Sequence, residues 1–179
     1  MELLKSIITY GNSKIATSGL LERTFNLATL SNGAYVGYTS DGQATPLNNI
    51  DNYNGISYWI LRSIAAIAED DDLRGGGELY TNTFSFDLIV SKKKSELACD
   101  GFGAEFEIYQ RILKTLIFDG SDFELRSATT SRQAKLTLKG YGEAPKEVPK
   151  SFEYATIAIK IEVILKSNIT CIPDVCATI

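Results

Sequence analysis

The acids are the first candidates for chemistry. Glu69, Asp70, Asp71 and Asp72 follow one another in the run EDDDLRGGG, and Asp87 and Glu105 stand apart from it. Paired carboxylates can do acid–base work. Hard-cation loops, however, interleave their ligands with turn residues, as in D-x-[DN]-x-[DN]-G, whereas adjacent acids point in different directions. The run therefore reads as a solvated acidic tip. Cys99, Cys171 and Cys176 are odd in number and come without a secretory signal, so they read as free thiols. The chain has no histidine. That removes Ser-His-Asp and Cys-His nucleophile pairs and the commonest general base, and it depletes any zinc ligand set. Gly101-Phe102-Gly103 lacks the third glycine and the Lys-Ser/Thr of a phosphate loop. No catalytic residue, metal or cofactor is expected.

The basic residues are dispersed, and Lys92–Lys94 is the only run. A net charge of −4 gives no global attraction to nucleic acid or anionic lipid. MELLKSIITY carries too short an apolar stretch, and no cleavage pattern, for a signal peptide. No run approaches the ~20 apolar residues of a membrane span. The expectation is a soluble protein made in the cytosol.

The elements that position these residues are organised around Ser151–Lys166, SFEYATIAIKIEVILK. Ala155, Ile157, Ile159, Ile161, Val163 and Leu165 occupy every second position, which predicts one long strand with an apolar face. Its other face carries Tyr154, Thr156, Lys160 and Glu162. Glu78–Val90 alternates in the same way, with Phe84, Phe86, Leu88 and Val90 on one side and Thr81, Thr83, Ser85 and Asp87 on the other. Ser57–Ala66 is apolar on both sides and reads as a strand buried twice or turned into an interface, with a helix as the alternative. It forms a hairpin with Glu78–Val90 across the acidic run. Gln133–Lys139 is a third amphipathic strand, expected to pair with the long one across the turn Gly140–Pro149. Phe123–Ser127 is a short strand.

Leu3, Leu4, Ile7 and Ile8 mark a short N-terminal helix stopped by Tyr10-Gly11, with Asn12–Gly19 read as a loop or as the end of that helix. Glu22–Ala28 reads as a strand. Phe102, Phe106, Tyr109, Leu113 and Leu116, with Ile112 and Ile117 beside them, mark the apolar stripe of the one long helix. Ser95 or Asp100 can cap it. Ser31–Gly55 is rich in turn formers, with one short strand at Ala34–Tyr38. The pattern predicts an α+β fold: a mainly antiparallel sheet of at least four strands, with the long helix on one face and a short N-terminal helix. A single domain spans 1–179, with a loop-rich insertion at 31–55 and a C-terminal extension at 167–179.

That layout resembles the tail-terminator and tail-completion (head–tail joining) proteins of tailed bacteriophages. The likeness is carried by Leu79–Val90 leading through Lys92–Lys94 into Phe102–Ile117, and then by Phe152–Leu165. It covers roughly residues 56–166 and contains no diagnostic motif. The long Ser31–Gly55 segment departs from the usual pattern. The resemblance implies a virion protein that forms a ring, typically a hexamer, and does no chemistry. It would end the tail tube or join tail to head, touching other tail or neck proteins. Loop tips of opposite sign, Glu69, Asp70, Asp71, Asp72 and Arg74 against Lys92, Lys93 and Lys94, suit head-to-tail subunit contacts. Lys135, Lys139 and Lys160 are the candidates to face DNA in passing, which a steep salt dependence of DNA binding would reveal. Two other classes stay open. One is a small-molecule or peptide-binding module with a cleft of Trp59, Phe84, Phe86 and Phe106. The other is an enzyme using carboxylates from Glu69–Asp72, Asp87 and Glu105.

Overall fold

A computed structural model describes residues 2–31, 34–39, 42–47, 53–69, 79–116, 123–129 and 153–168. The order is α1 (Glu2–Ala16), β1 (Arg23–Ser31), β2 (Ala34–Tyr38), β3 (Ala44–Pro46), β4 (Gly55–Glu69), β5 (Leu79–Lys93), α2 (Phe102–Leu116), β6 (Phe123–Thr129) and β7 (Tyr154–Asn168). A single 3-10 turn, Lys94–Glu96, follows β5. The fold is α+β. The strands form one sheet in the order β3-β2-β1-β4-β5-β7-β6. It is mixed, where the sequence predicts a mainly antiparallel sheet, because β1 runs parallel to β4.

The three strands β4, β5 and β7 are 15 residues each and form the spine. The alternation in β5 and β7 predicted the faces correctly. Phe84, Phe86, Leu88 and Val90 join Ala155, Ile157, Ile159, Ile161 and Val163 in one core beneath the helices. Ile56–Ala68 is strand throughout, as its β-branched and aromatic content favours. β4 and β5 are an antiparallel hairpin from Gly55↔Lys92 to Glu69↔Leu79.

Three expectations change. First, α1 does not stop at Gly11 but runs to Ala16. Gly11 lies against Trp59, and a Cβ there would stand 2.6 Å from the indole Cζ2. The glycine permits close helix–sheet approach instead of ending the helix. Second, α2 buries Ala104, Ile108, Ile112 and Leu116, so Ile112 and Leu116 of the expected stripe face the core and Tyr109 packs beside them, while its two phenylalanines turn outward. Phe102 is 72% exposed and Phe106 50%.

Third, the segment expected as a loop-rich insertion is partly sheet. β2 and β3 extend β1 as an antiparallel meander. Leu47 and Tyr53, from the same segment, pack in a second core with Phe25, Ala28, Ile56, Tyr58, Ile60, Ile89 and Ala158 on the opposite face of the sheet. On the polar side of the long strands Ser85, Asp87, Ser91 and Thr156 are buried, while Lys160 is exposed. There the Ser91 and Thr156 hydroxyls bond each other at 2.9 Å. β6 flanks β7 over Ala158–Val163. The strand expected at Gln133–Lys139, the turns at Glu69–Gly77 and Gly140–Pro149, Ile117 and nearly all of the C-terminal extension lie outside the described residues.

Candidate functional site

The predicted interface residues divide between the two ends of the β4–β5 hairpin. Glu69 is the last residue of β4, paired with Leu79. Lys92 and Lys93 end β5 beside Gly55 and Tyr154. Fourteen strand steps separate the two ends, roughly 45 Å at the usual rise. Asp70, Asp71, Asp72 and Arg74 lie outside the described residues.

The basic end is less available than its sequence implies. Lys92 is only 7% exposed. Its ammonium is paired with the Glu96 carboxylate one turn on. It is buried because β5 continues as strand through Lys93, so Lys92 packs its stem against Gly55 instead of sitting at a turn. Lys93 is half-buried with its ammonium 6.0 Å from the Tyr154 ring centre. Lys94 is half-buried, and its N–H donates to the Glu153 carbonyl at 2.9 Å. Of the three lysines, Lys92 is the buried one.

The candidate channel-facing residue Lys160 has a half-exposed side chain, 3.5 Å from the Glu162 carboxylate. It belongs to a polar group on the face opposite the helices. At Arg62 the β4–β5 register slips by one residue, between Leu61↔Phe86 and Ser63↔Ser85. That bulge turns the Arg62 guanidinium onto Asp87, with Nε donating to Oδ2 at 2.6 Å. Asp87 is 4% exposed. Across the sheet Asp87 pairs with Lys160 and Ser85 with Glu162. The Ser85 hydroxyl donates to Glu162 Oε1 at 3.5 Å. Lys135 and Lys139 lie outside the described residues.

This arrangement is a set of matched charges. Asp87, one of the candidate catalytic acids, is taken up by Arg62, while Glu105 lies on α2 and Glu69 ends β4, so the three do not converge. The aromatic cleft does not form either. Trp59 and Phe86 are fully buried and stack edge to face at 5.7 Å, Phe84 is buried beside them in the core, and Phe106 is outside. Among the described residues no three His, Cys, Asp or Glu side chains are grouped to hold a metal. No helix among them is long and apolar enough to cross a membrane. Cys99 is exposed and free, while Cys171 and Cys176 lie outside the described residues.

What the structure does leave open is apolar surface on regular elements. On α2 it is Phe102 and Phe106, with Tyr109 half-buried and its ring 6.5 Å from that of Phe106. On β4 it is Ile64, 56% exposed, between exposed Ser63 and Ala65. Sequence patterning placed Phe102 and Phe106 in the core because large aromatics dominate an apolar stripe. The signal for the true face was the row Ala104, Ile108, Ile112, Leu116 at a strict spacing of four. The chain matches no protein-family profile and no curated protein sequence.

Proposed function

We propose that the chain is a structural subunit of a tailed-bacteriophage virion. In this role it assembles as a ring, hexameric, that terminates the tail tube or joins tail to head, in contact with other tail or neck proteins. It acts by packing and not by catalysis. The observation that carries the reading is the layout: a β4–β5 hairpin of 15-residue strands leads through a tight 3-10 turn into one amphipathic helix, and β7 returns at full length beside β5. The exposed Phe102, Phe106 and Ile64 add support, because a helix or strand apolar on its outward side is normally covered by a second body.

DNA contact within the ring is transient at most, since Lys160 already has a carboxylate beside it. The test is the solution mass of the purified chain by light scattering over a concentration series, with negative-stain images of the heaviest species. The expected result is a discrete species near six subunits with six-fold ring projections. A strict monomer at the highest concentration, with no ring in projection, overturns the reading.

A further inference from the structure

We infer that the outward face of α2 is where a second copy of the chain docks, its own α2 lying antiparallel on this one about a two-fold axis. The inference goes beyond the ring reading. A ring of six closes through head-to-tail contacts, whereas a two-fold contact joins units in pairs. In the ring it joins two rings face to face.

α2 is described over its whole length. Ala104, Ile108, Ile112 and Leu116 take its inner side. Phe102, Phe106, Gln110 and Lys114 follow at the same spacing of four, and all are exposed. Tyr109 and Leu113 are half-buried beside them. Phe102, Phe106, Tyr109 and Leu113 are spaced 4, 3, 4, which is the spacing of a seam between two helices.

The charges along the helix select the occupant. Asp100, just ahead of α2, is exposed, and so is Lys114 in the last turn. Glu105 is the acid of the first turn. Glu107 and Arg111 lie between these ends and pair with each other at 3.3 Å. One end is therefore acidic and the other basic. When a second α2 lies antiparallel with Phe106 against the partner's Tyr109, Asp100 and the partner's Lys114 come close to level along the axis. The helix dipoles then oppose, whereas a parallel pair sets like charges and like dipole ends together. A face whose two ends complement each other in this way fits its own copy, which is the self-complementarity of a two-fold contact.

Only exposed area counts toward the strength of the contact. Phe102 at 72% and Phe106 at 50% present roughly 250 Å² between them in each copy. Even with shares from Tyr109, Gln110 and Leu113, the total over both copies stays below the about 1,200 Å² of a standard interface. The contact is therefore weak between single chains. It gains where a ring offers it several times at once, because the later contacts form within an assembly already joined. Apolar area supplies the attraction, and the charged ends set the direction.

The experiment uses the full chain. Light scattering over a concentration series compares the wild type with Phe106→Ser, Asp100→Lys, Lys114→Glu and the double variant D100K/K114E. Circular dichroism melts check that each variant folds. The wild type is expected to double its mass as concentration rises. Phe106 is exposed, so Phe106→Ser is expected to keep the wild-type melt while weakening the doubling about tenfold or more. Each charge reversal sets like charges together twice and is expected to weaken it about threefold. The double variant exchanges the two charges and is expected to return to within about twofold of wild type.

Doubling of Phe106→Ser as tight as wild type overturns the inference. So do charge reversals that change nothing, or a double variant no tighter than the single reversals. A wild type that never doubles its mass overturns it as well, and a six-subunit ring seen under those conditions stands without it. If single chains double to dimers that Phe106→Ser weakens and no ring forms, the α2 contact stands and the ring reading falls. If Phe106→Ser doubles normally but loses a co-purifying protein, the face belongs to a foreign partner and the inference falls.

Discussion

Gly11 and Asn12 show how single residues decide the packing of α1. Trp59 is fully buried on β4, and its indole N–H donates to Asn12 Oδ1 at 2.7 Å. Asn12 Nδ2 in turn donates to the Phe25 carbonyl at 3.2 Å and to Asn26 Oδ1 at 3.0 Å. One amide therefore ties helix, β1 and β4 together, and the absent side chain at Gly11 lets the ring come close enough for it. Two effects compete in Gly11→Ala. Alanine favours a helix interior over glycine by about 0.5–1 kcal/mol, whereas forcing a methyl into a filled space costs about 1–3 kcal/mol. The Cβ would meet Trp59 at 2.6 Å, closer than carbon contacts allow, and the ring cannot retreat because Phe86 stacks beside it. The packing effect wins, and Gly11→Ala is expected to lower stability by about 1–2 kcal/mol in urea denaturation. A stabilised variant would mean that α1 and Trp59 are further apart. Local sequence rules read Gly11 as a stop because they see backbone freedom and not the ring that arrives from 48 residues away.

At the scale of elements, what the sequence reveals depends on whether one face of the element is clearly the apolar one. β5 and β7 were legible in position, length and buried face, because strict alternation leaves one assignment open. The edge meander was less so: Ala34–Tyr38 was visible as a strand, but Leu47 and Tyr53 joined the second core from among turn residues, with no periodicity to announce them. For α2, extent was legible and orientation only in part: of the expected stripe, Ile112 and Leu116 are buried and Tyr109 packs against the core, whereas Phe102 and Phe106 are exposed and the row is completed inside by Ala104 and Ile108. The small Ala104 lets α2 lie close on the sheet, which a phenylalanine there would prevent. Two substitutions test the assignment. Ile108→Ala, at a fully buried position, is expected to cost about 2–5 kcal/mol in chemical denaturation. Phe102→Ser, at the exposed end, is expected to stay within about 0.5 kcal/mol of wild type. Reversed magnitudes would restore the aromatic row to the core. Phe102 and Phe106 were read as part of the core stripe and are exposed, while Lys92, read as a basic turn, is buried and paired with Glu96.

For the whole molecule, in the ring proposed above, two kinds of surface would compete to hold subunits together, and ionic strength separates them. Oppositely charged ends on the β4–β5 hairpin would bring subunits together head to tail through a screened attraction. The Debye length falls from roughly 14 Å at about 0.05 M salt to about 3 Å at 1 M, so contacts between exposed charges would weaken strongly over that range. Apolar contacts on Ile64, Phe102 and Phe106 would hold or tighten, because their driving force is removal of area from water. The structure weights the balance toward the second kind. Lys92 already has a carboxylate partner, and Lys93 and Lys94 are half-buried. The net charge of −4 also makes subunits repel one another, and salt relieves that repulsion. The solution mass is therefore expected to stay constant or rise between about 0.05 M and 1 M sodium chloride. Dissociation at the higher salt would return the contact to the charged ends and would direct substitution to Glu69 and Lys93 before Ile64.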